Sequence, residues 1–221
     1  RAPRRLGLDV VVAVLPARLS PSPRFLRRAS LPLSSSPSSS LRRVLKLKPL
    51  RAHQIPAFEF IKPRSLVALF LEMRLGKTVT LTHWFNELEK RLGRKLKILI
   101  IAPKTPLVSW RDEIPPSVSI AGTSKKHRNE TIKRRHGYFL ITPQSAVQTP
   151  ELARAGFDVV VCDESTFLKS AKSQAFKKLT RWFKDTPYKA LLTGLPNPQD
   201  NMELWPQMAW LHGGEWIGYN N

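Results

Sequence analysis

Five short, almost continuously apolar runs, rich in β-branched residues, mark the chain at residues 65–71, 97–102, 138–142, 157–163 and 188–193. A run without polar alternation fits a strand whose two faces are both covered, the situation of a parallel sheet between helices. Longer amphipathic stretches separate the runs. Residues 78–92 set Leu81, Trp84, Phe85, Leu88 and Leu92 at helical spacing, with Glu87, Glu89 and Lys90 on the other side. Residues 171–183 repeat the pattern with Ala175, Leu179, Trp182 and Phe183. Strands alternating with helices predict one α/β domain over residues 48–221, a three-layer fold with a mainly parallel sheet flanked by helices. In such sheets ligands bind where the carboxyl ends of the strands emerge.

Two motifs fall at those ends. The first run leads into Glu72, Met73, Arg74, Leu75, Gly76, Lys77 and Thr78, and then into a helix. A strand, a turn ending in Gly-Lys-Thr and a helix N-terminus bring backbone N–H groups and a helix dipole to an anion. Lys77 then reaches phosphate oxygens and Thr78 offers a hydroxyl to Mg²⁺. A plainer reading makes Thr78 a helix cap in an ordinary turn. The fourth run ends in Asp163-Glu164-Ser165, 86 residues beyond Lys77. Adjacent carboxylates at the mouth of a buried strand are costly unless they hold a cation or act on a substrate. Asp163 is the candidate Mg²⁺ ligand and Glu164 the candidate base for an attacking water. A solvated pair capping the next helix is the bland alternative, but the two motifs together point to a nucleoside triphosphatase that uses Mg²⁺.

Charge narrows the partner. The 37 Lys and Arg residues against 16 Asp and Glu leave +21. Residues 1–56 hold 12 basic groups and one acid, and residues 57–221 hold 25 and 15, so the domain remains basic without its leader. Such an excess favours a polyanion, nucleic acid first. Residues 1–47 read as a disordered basic tail: between 20 and 40, nine Ser and four Pro leave little apolar surface to offset ordering. An acid-poor organelle leader is one reading of this tail, and an untrimmed or wrongly started frame is the other, since the chain opens on Arg1. The single Cys162 excludes an intramolecular disulfide framework. No apolar run approaches the roughly 18 to 20 residues of a membrane span, so no membrane partner is expected.

Six ordered segments resemble the Swi/Snf-type helicase-like ATPases of helicase superfamily two, in particular their phage and bacterial members. They are Leu50-Arg51-Ala52-His53-Gln54, the loop from Glu72 to Thr78, residues 98–104 with Trp110 and Glu113, residues 138–142, Asp163-Glu164-Ser165 with Leu168-Lys169-Ser170, and residues 191–196 with Asn201, Glu203, Leu204 and Trp205. The resemblance implies the first RecA-like lobe of a DNA-dependent ATPase, a translocase or helicase on duplex DNA. It implies that Gln54 reads adenine, that residues 72–78 bind the nucleotide, and that Lys104, Thr105 and Thr142 contact DNA. Thr193 and Gly194 would transmit the nucleotide state. Three departures stand out: Arg74 replaces a loop glycine, Leu195 replaces a threonine of the coupling segment, and the chain ends at Asn221 before the second lobe. The isolated lobe is therefore expected to hydrolyse ATP weakly, in the cytoplasm of a bacterial or phage-infected cell.

Two other readings remain. The chain can be a catalytically inert fragment that binds nucleic acid through its basic surface, or an RNA-directed enzyme of the DEAD-box kind. The basic run Lys125, Lys126, His127, Arg128, Lys133, Arg134 and Arg135 is either a phosphate contact beside DNA or a solvated helix face. Trp110 is expected to pack rather than stack on a base.

Overall fold

The computed structural model describes residues 11–15, 47–72, 74–114, 117–120, 124–194 and 204–212. Met73, Leu195, Pro196, Asn201 and Glu203, all singled out above, lie outside the described residues. In chain order the elements are β1 (Val11–Leu15), α1 (Gln54–Ile61), β2 (Leu66–Leu71), α2 (Lys77–Leu92), β3 (Lys97–Ile101), α3 (Lys104–Glu113), β4 (Ser117–Ser119), α4 (Lys125–Ile132), β5 (Gly137–Ile141), α5 (Pro143–Val147), β6 (Val159–Asp163), α6 (Gln174–Phe183), β7 (Tyr188–Thr193) and α7 (Leu204–Leu211). All five expected strands are present, within two residues of their expected starts.

Every strand pairing is parallel, and the spatial order is β1-β2-β7-β6-β3-β5-β4. The last strand to form in sequence, β7, is thus wedged between β2 and β6. Phe70 on β2 stands opposite Thr193 on β7, and Asp163 on β6 stands opposite Leu192. The turn after β2, the end of β7 at Thr193 and Gly194, and the acidic pair after β6 therefore leave the sheet side by side at one edge.

Successive strand residues point to opposite faces, and the core divides accordingly. Val67, Leu69 and Leu71 join Leu81, Trp84, Phe85 and Leu88 of α2 and Trp110 of α3 on one face. Ala68 and Phe70 join Leu179 and Phe183 of α6 and Met208, Trp210 and Leu211 of α7 on the other. Helices on both faces of a parallel sheet give the expected three layers. Leu92 departs from the apolar stripe assigned to it: at 38% exposure it ends α2 beyond the cover of the sheet. Gly93, with φ 66°, then closes the helix and donates to the Lys90 carbonyl. The start of the second expected helix moves to Gln174, because Ser173 accepts from the Phe176 N–H and caps it.

Within the segment assigned to the tail, Val11–Leu15 joins the sheet as an edge strand on β2, in register from Val11↔Val67 to Leu15↔Leu71. A sheet edge offers unpaired backbone groups to any extended run that reaches it, and the apolar stretch over 6–15 is the part of the leader suited to that position. No described helix is long and apolar enough to cross a membrane.

One core feature has a pH signature. Lys189 on β7 is 2% exposed, donates to the Trp210 carbonyl at 3.1 Å and lies 5.6 Å from that indole. Burial lowers its pKa from 10.5 to about 8. Between those values the unfolded chain holds a proton that the folded chain has released, so this group makes stability rise with pH across that window. The span is worth about 3 kcal/mol at 1.36 kcal/mol per unit. Lys189→Met is expected to remove this rise, which urea unfolding of both proteins at pH 7.5 and 9.5 would measure; equal pH dependence in the two would contradict it.

Candidate nucleotide and metal site

The cleft lies at the carboxyl edge of the sheet, with a volume of about 590 Å³. Arg74, Gly76, Lys77 and Thr78 line one side, and Asp163 and Glu164 the other. The turn after β2 is tight. Arg74 sits at φ 65° and Gly76 at φ 80°, both left-handed. The arginine that replaces a loop glycine thus occupies the conformation that glycine would accept without strain. Gly76 is required for a second reason: a Cβ there would stand 1.9 Å from the Gln54 Nε2 atom.

Gln54 lies behind the loop, not in the cleft. Its Nε2 donates to the Leu75 and Gly76 carbonyls at 3.1 and 3.2 Å, and its Oε1 accepts from the Arg51 N–H at 2.8 Å. At 3% exposure the amide is spent on holding the turn, so reading adenine requires it to release a loop contact. His53 reinforces it, with Nε2 3.2 Å from the Leu75 carbonyl oxygen. Glu72 and Leu75 contribute backbone: Lys77 Nζ donates to the Leu71 and Glu72 carbonyls at 2.9 and 3.4 Å. Those carbonyl contacts keep the ammonium over the turn, and an anionic acceptor there would bind it more strongly than a neutral carbonyl.

Across the cleft, Asp163 is 4% exposed and bound on both oxygens. Trp110 Nε1 donates to Oδ2 at 2.8 Å, and the Glu164 N–H donates to Oδ1 at 2.9 Å. Burial raises its pKa, with the Trp110 hydrogen bond the largest opposing effect. Glu164 follows at φ 48° and ψ 58°, a left-handed residue that is not glycine. Strain of this kind is concentrated where a side chain must be aimed. Here it accompanies the turn that sets Glu164 beside Asp163 on the cleft wall. Ser165 turns away and donates to Gln207 Oε1 at 2.5 Å, tying the acidic turn to α7.

The donor chemistry fits Mg²⁺, a hard cation that takes one or two carboxylates together with substrate phosphates. Among the described residues, Asp163 is a buried carboxylate without a cationic side chain in hydrogen-bond contact, and Thr78 supplies a hydroxyl on the facing wall. Among the described residues no group of three His, Cys, Asp or Glu forms a self-sufficient metal cage. The phosphates of a bound nucleotide would supply the remaining ligands.

The residues assigned to DNA separate. Lys104 and Thr105 are exposed on the first turn of α3, and Thr105 lines the phosphate cleft itself. Thr142 is 8% exposed and caps α5, accepting from the Ser145 N–H and donating to Ser145 Oγ. The basic run does not form one patch. Lys126 and His127 are exposed on the first turn of α4, whereas Lys133, Arg134 and Arg135 immediately precede β5. In a parallel sheet that second half lies at the amino edge, away from the cleft. Thr193 is fully buried at the end of β7, and Gly194 is half-buried beside it.

Trp110 is the residue of the candidate site that the sequence alone did not assign to it. It is fully buried, as expected, stacked on Phe85 with centroids 6.1 Å apart, but its N–H is committed to Asp163. Its place in the segment following β3 was the available signal; its partner, 53 residues away, was not visible.

A left-handed Gly-Lys-Thr turn opposite an Asp-Glu pair, at the carboxyl edge of a parallel sheet, defines a phosphate-binding lobe of the RecA-like class. The SNF2-related domain profile matches residues 64–219, and the chain belongs to that family. It is 30% identical over 145 residues to the ATP-dependent helicase BRM of Arabidopsis thaliana, covering 61% of this chain and 6% of that protein. It is 28% identical over 155 residues to the ATP-dependent helicase fft2 of Schizosaccharomyces pombe, covering 63% of this chain and 12% of the relative. The chain thus spans only a small part of the curated relatives it matches. The fold is similar to the Sulfolobus solfataricus SWI2/SNF2 ATPase core in complex with dsDNA, at TM-score 0.66 and 23% identity, over 79% of this chain and 38% of that one. It is also similar to the Pyrococcus furiosus Hef helicase domain, at TM-score 0.57 and 23% identity, over 73% and 36%.

Two expectations follow. Arg74→Gly is expected to relieve about 1 kcal/mol of left-handed strain and raise the thermal midpoint; a fall in that midpoint would show that the guanidinium contributes more than the strain costs. Trp110→Phe keeps the ring and removes the donor to Asp163, a bond to a charged group worth about 1.5–3 kcal/mol. It is expected to reduce the gain in ADP affinity that Mg²⁺ confers, measured by titration with and without Mg²⁺, while leaving Mg²⁺-free binding unchanged.

Proposed function

We propose that this chain is the ATP-binding lobe of a DNA-dependent ATPase of the Swi/Snf type, acting on duplex DNA in company with a second RecA-like lobe. The observation that carries the reading is the facing of Lys77 and Thr78 against Asp163 and Glu164 across one cleft. The family and its helicase-named relatives agree with it.

In this reading the start of α2 receives the phosphates, whose charge its exposed N–H groups and dipole favour. Lys77 exchanges its carbonyl contacts for phosphate oxygens. Mg²⁺, held by Asp163 and Thr78, would neutralise phosphate charge when bound. Glu164 orients a water and takes its proton as the water oxygen bonds to the terminal phosphorus and the bond to the ADP oxygen breaks. Trp110 keeps Asp163 from turning out of the cleft. Thr193, whose strand lies between the phosphate loop and the acidic pair, is placed to feel both. Charge stabilisation by an arginine from a second lobe, worth roughly 10³ to 10⁵ in rate for related phosphoryl transfers, would have to come from outside these residues.

The net charge of +21 favours a second reading, an inert lobe that binds nucleic acid electrostatically. The two separate in one experiment. A fluorescent ATP analogue titrated with Mg²⁺ is expected to bind saturably, to be lost in Lys77→Ala, and to be retained in Glu164→Gln. Duplex DNA binding that ignores both nucleotide and Lys77→Ala, with no saturable nucleotide binding, would establish the inert lobe instead.

A further inference from the structure

A second cavity, of about 390 Å³, opens at the amino edge of the sheet, the opposite end from the phosphate cleft. Its buried wall is Lys97, the first residue of β3, at 6% exposure. The ammonium donates to the Ile132 carbonyl at the end of α4, at 2.7 Å, and to the Ala155 carbonyl, at 2.5 Å. It lies 5.1 and 5.7 Å from the ring centroids of Phe157 and Phe139. An ammonium has three donors, so one is unspent. Lys97 also forms no ion pair among the described residues, because the neighbouring Asp158 carboxylate is gripped by both terminal nitrogens of Arg94 at 2.7 and 3.0 Å.

The backbone beneath the cavity is fixed. Asp158 Oδ2 accepts from the Lys97 N–H at 2.8 Å, and the Asp158 N–H donates to the Lys97 carbonyl at 2.9 Å. Exposed Lys133 and Arg154 and half-buried Glu151 complete the lining with Asn129. The buried Asn129 Oδ1 atom has no hydrogen-bond partner among the described residues.

Charge and shape select the ligand. Three cations against one carboxylate leave +2 in the cavity, which matches a phosphomonoester carrying about −1.5 to −2 at pH 7; a monocarboxylate would leave it half neutralised. The arginine fork suits phosphate oxygens. Glu151 accepts only, so the ligand must also bring a donor. A volume near the low end of the roughly 300–1,000 Å³ range of ligand pockets restricts the ligand to sugar size.

We propose that this cavity binds a small, hydroxyl-bearing phosphomonoester of sugar-phosphate size, with its phosphate against Lys97, Lys133 and Arg154 and a hydroxyl on Glu151. The site is separate from the nucleotide cleft and does not depend on the function proposed above.

The test is calorimetric titration of the full chain with ribose 5-phosphate, inorganic phosphate and ribose in turn, alongside ¹³C spectra of the Ile132 and Ala155 methyl groups. Ribose 5-phosphate is expected to bind saturably, more tightly than either fragment, and to shift both methyl signals. Arg154→Ala, at an exposed position, is expected to weaken it about tenfold or more, and Glu151→Gln to narrow its advantage over inorganic phosphate. Lys77→Ala is expected to leave it unchanged. The proposal is overturned if ribose 5-phosphate does not saturate, if its binding survives Arg154→Ala, or if Lys77→Ala abolishes it and so places the ligand in the nucleotide cleft. It is equally overturned if Arg154→Ala lowers affinity for duplex DNA while no sugar phosphate binds, which would make this edge a nucleic-acid surface.

Discussion

The position of β7 between β2 and β6 is the constraint on which the rest of the cleft depends. Parallel strands deliver all their carboxyl ends to one edge, but only strand order decides which loops become neighbours. With β7 in the middle, the loop after β2 and the carboxylates after β6 are separated by one strand. That one-strand separation leaves a cleft of about 590 Å³ between them. The same arrangement places Thr193 opposite Phe70, one residue beyond the strand position at which Leu192 meets Asp163. Both walls thus border β7 directly, through parallel backbone pairing on its two sides.

Both walls carry destabilising features that the core must offset. Arg74 and Glu164 hold left-handed backbones without being glycine, at about 1–2 kcal/mol each. Asp163 is a carboxylate removed from water, and its two hydrogen bonds compensate its lost hydration only in part, since its pKa remains raised. The strand ends feeding these turns are fully buried aliphatic ladders, Val67 to Leu69 and Val159 to Cys162. Dense apolar packing of this kind is what allows strained, desolvated groups to persist at its margin. A cation arriving at Asp163 would relieve the burial penalty directly, so ligand binding and local stability are linked there.

Much of this was legible in the sequence because strand burial leaves a direct trace. Runs without polar alternation mark doubly covered strands, and all five were found close to their expected bounds. The left-handed strain at Arg74 was also legible, from an arginine standing where the related turns carry glycine. What could not be read depends on strand order and register. The hydrogen bond from Trp110 to Asp163 joins residues 53 apart and exists only because α3 packs under the end of β6. The division of the basic run between two sheet edges follows from β5 being parallel to its neighbours. The three-residue strand Ser117–Ser119 carries too few apolar residues to signal itself. Val11–Leu15 was hidden inside a segment whose many Arg, Ser and Pro residues and single acid gave it the look of a disordered tail.

Arg74 shows how a departure from a motif can be physically coherent. Glycine at this turn would satisfy the backbone and contribute nothing else. An arginine costs conformational energy at φ 65°, yet its side chain lines the same cleft as Lys77 and Thr78. A guanidinium there adds a permanent positive charge and a planar set of donors beside a phosphate-binding turn. The balance then depends on occupancy. An empty cleft bears the strain together with the proximity of two cations, while an anion between them converts the second cost into a gain. Under the function proposed above, the substitution would favour the phosphate-bound lobe over the free one, a gain in binding set against a cost in folding.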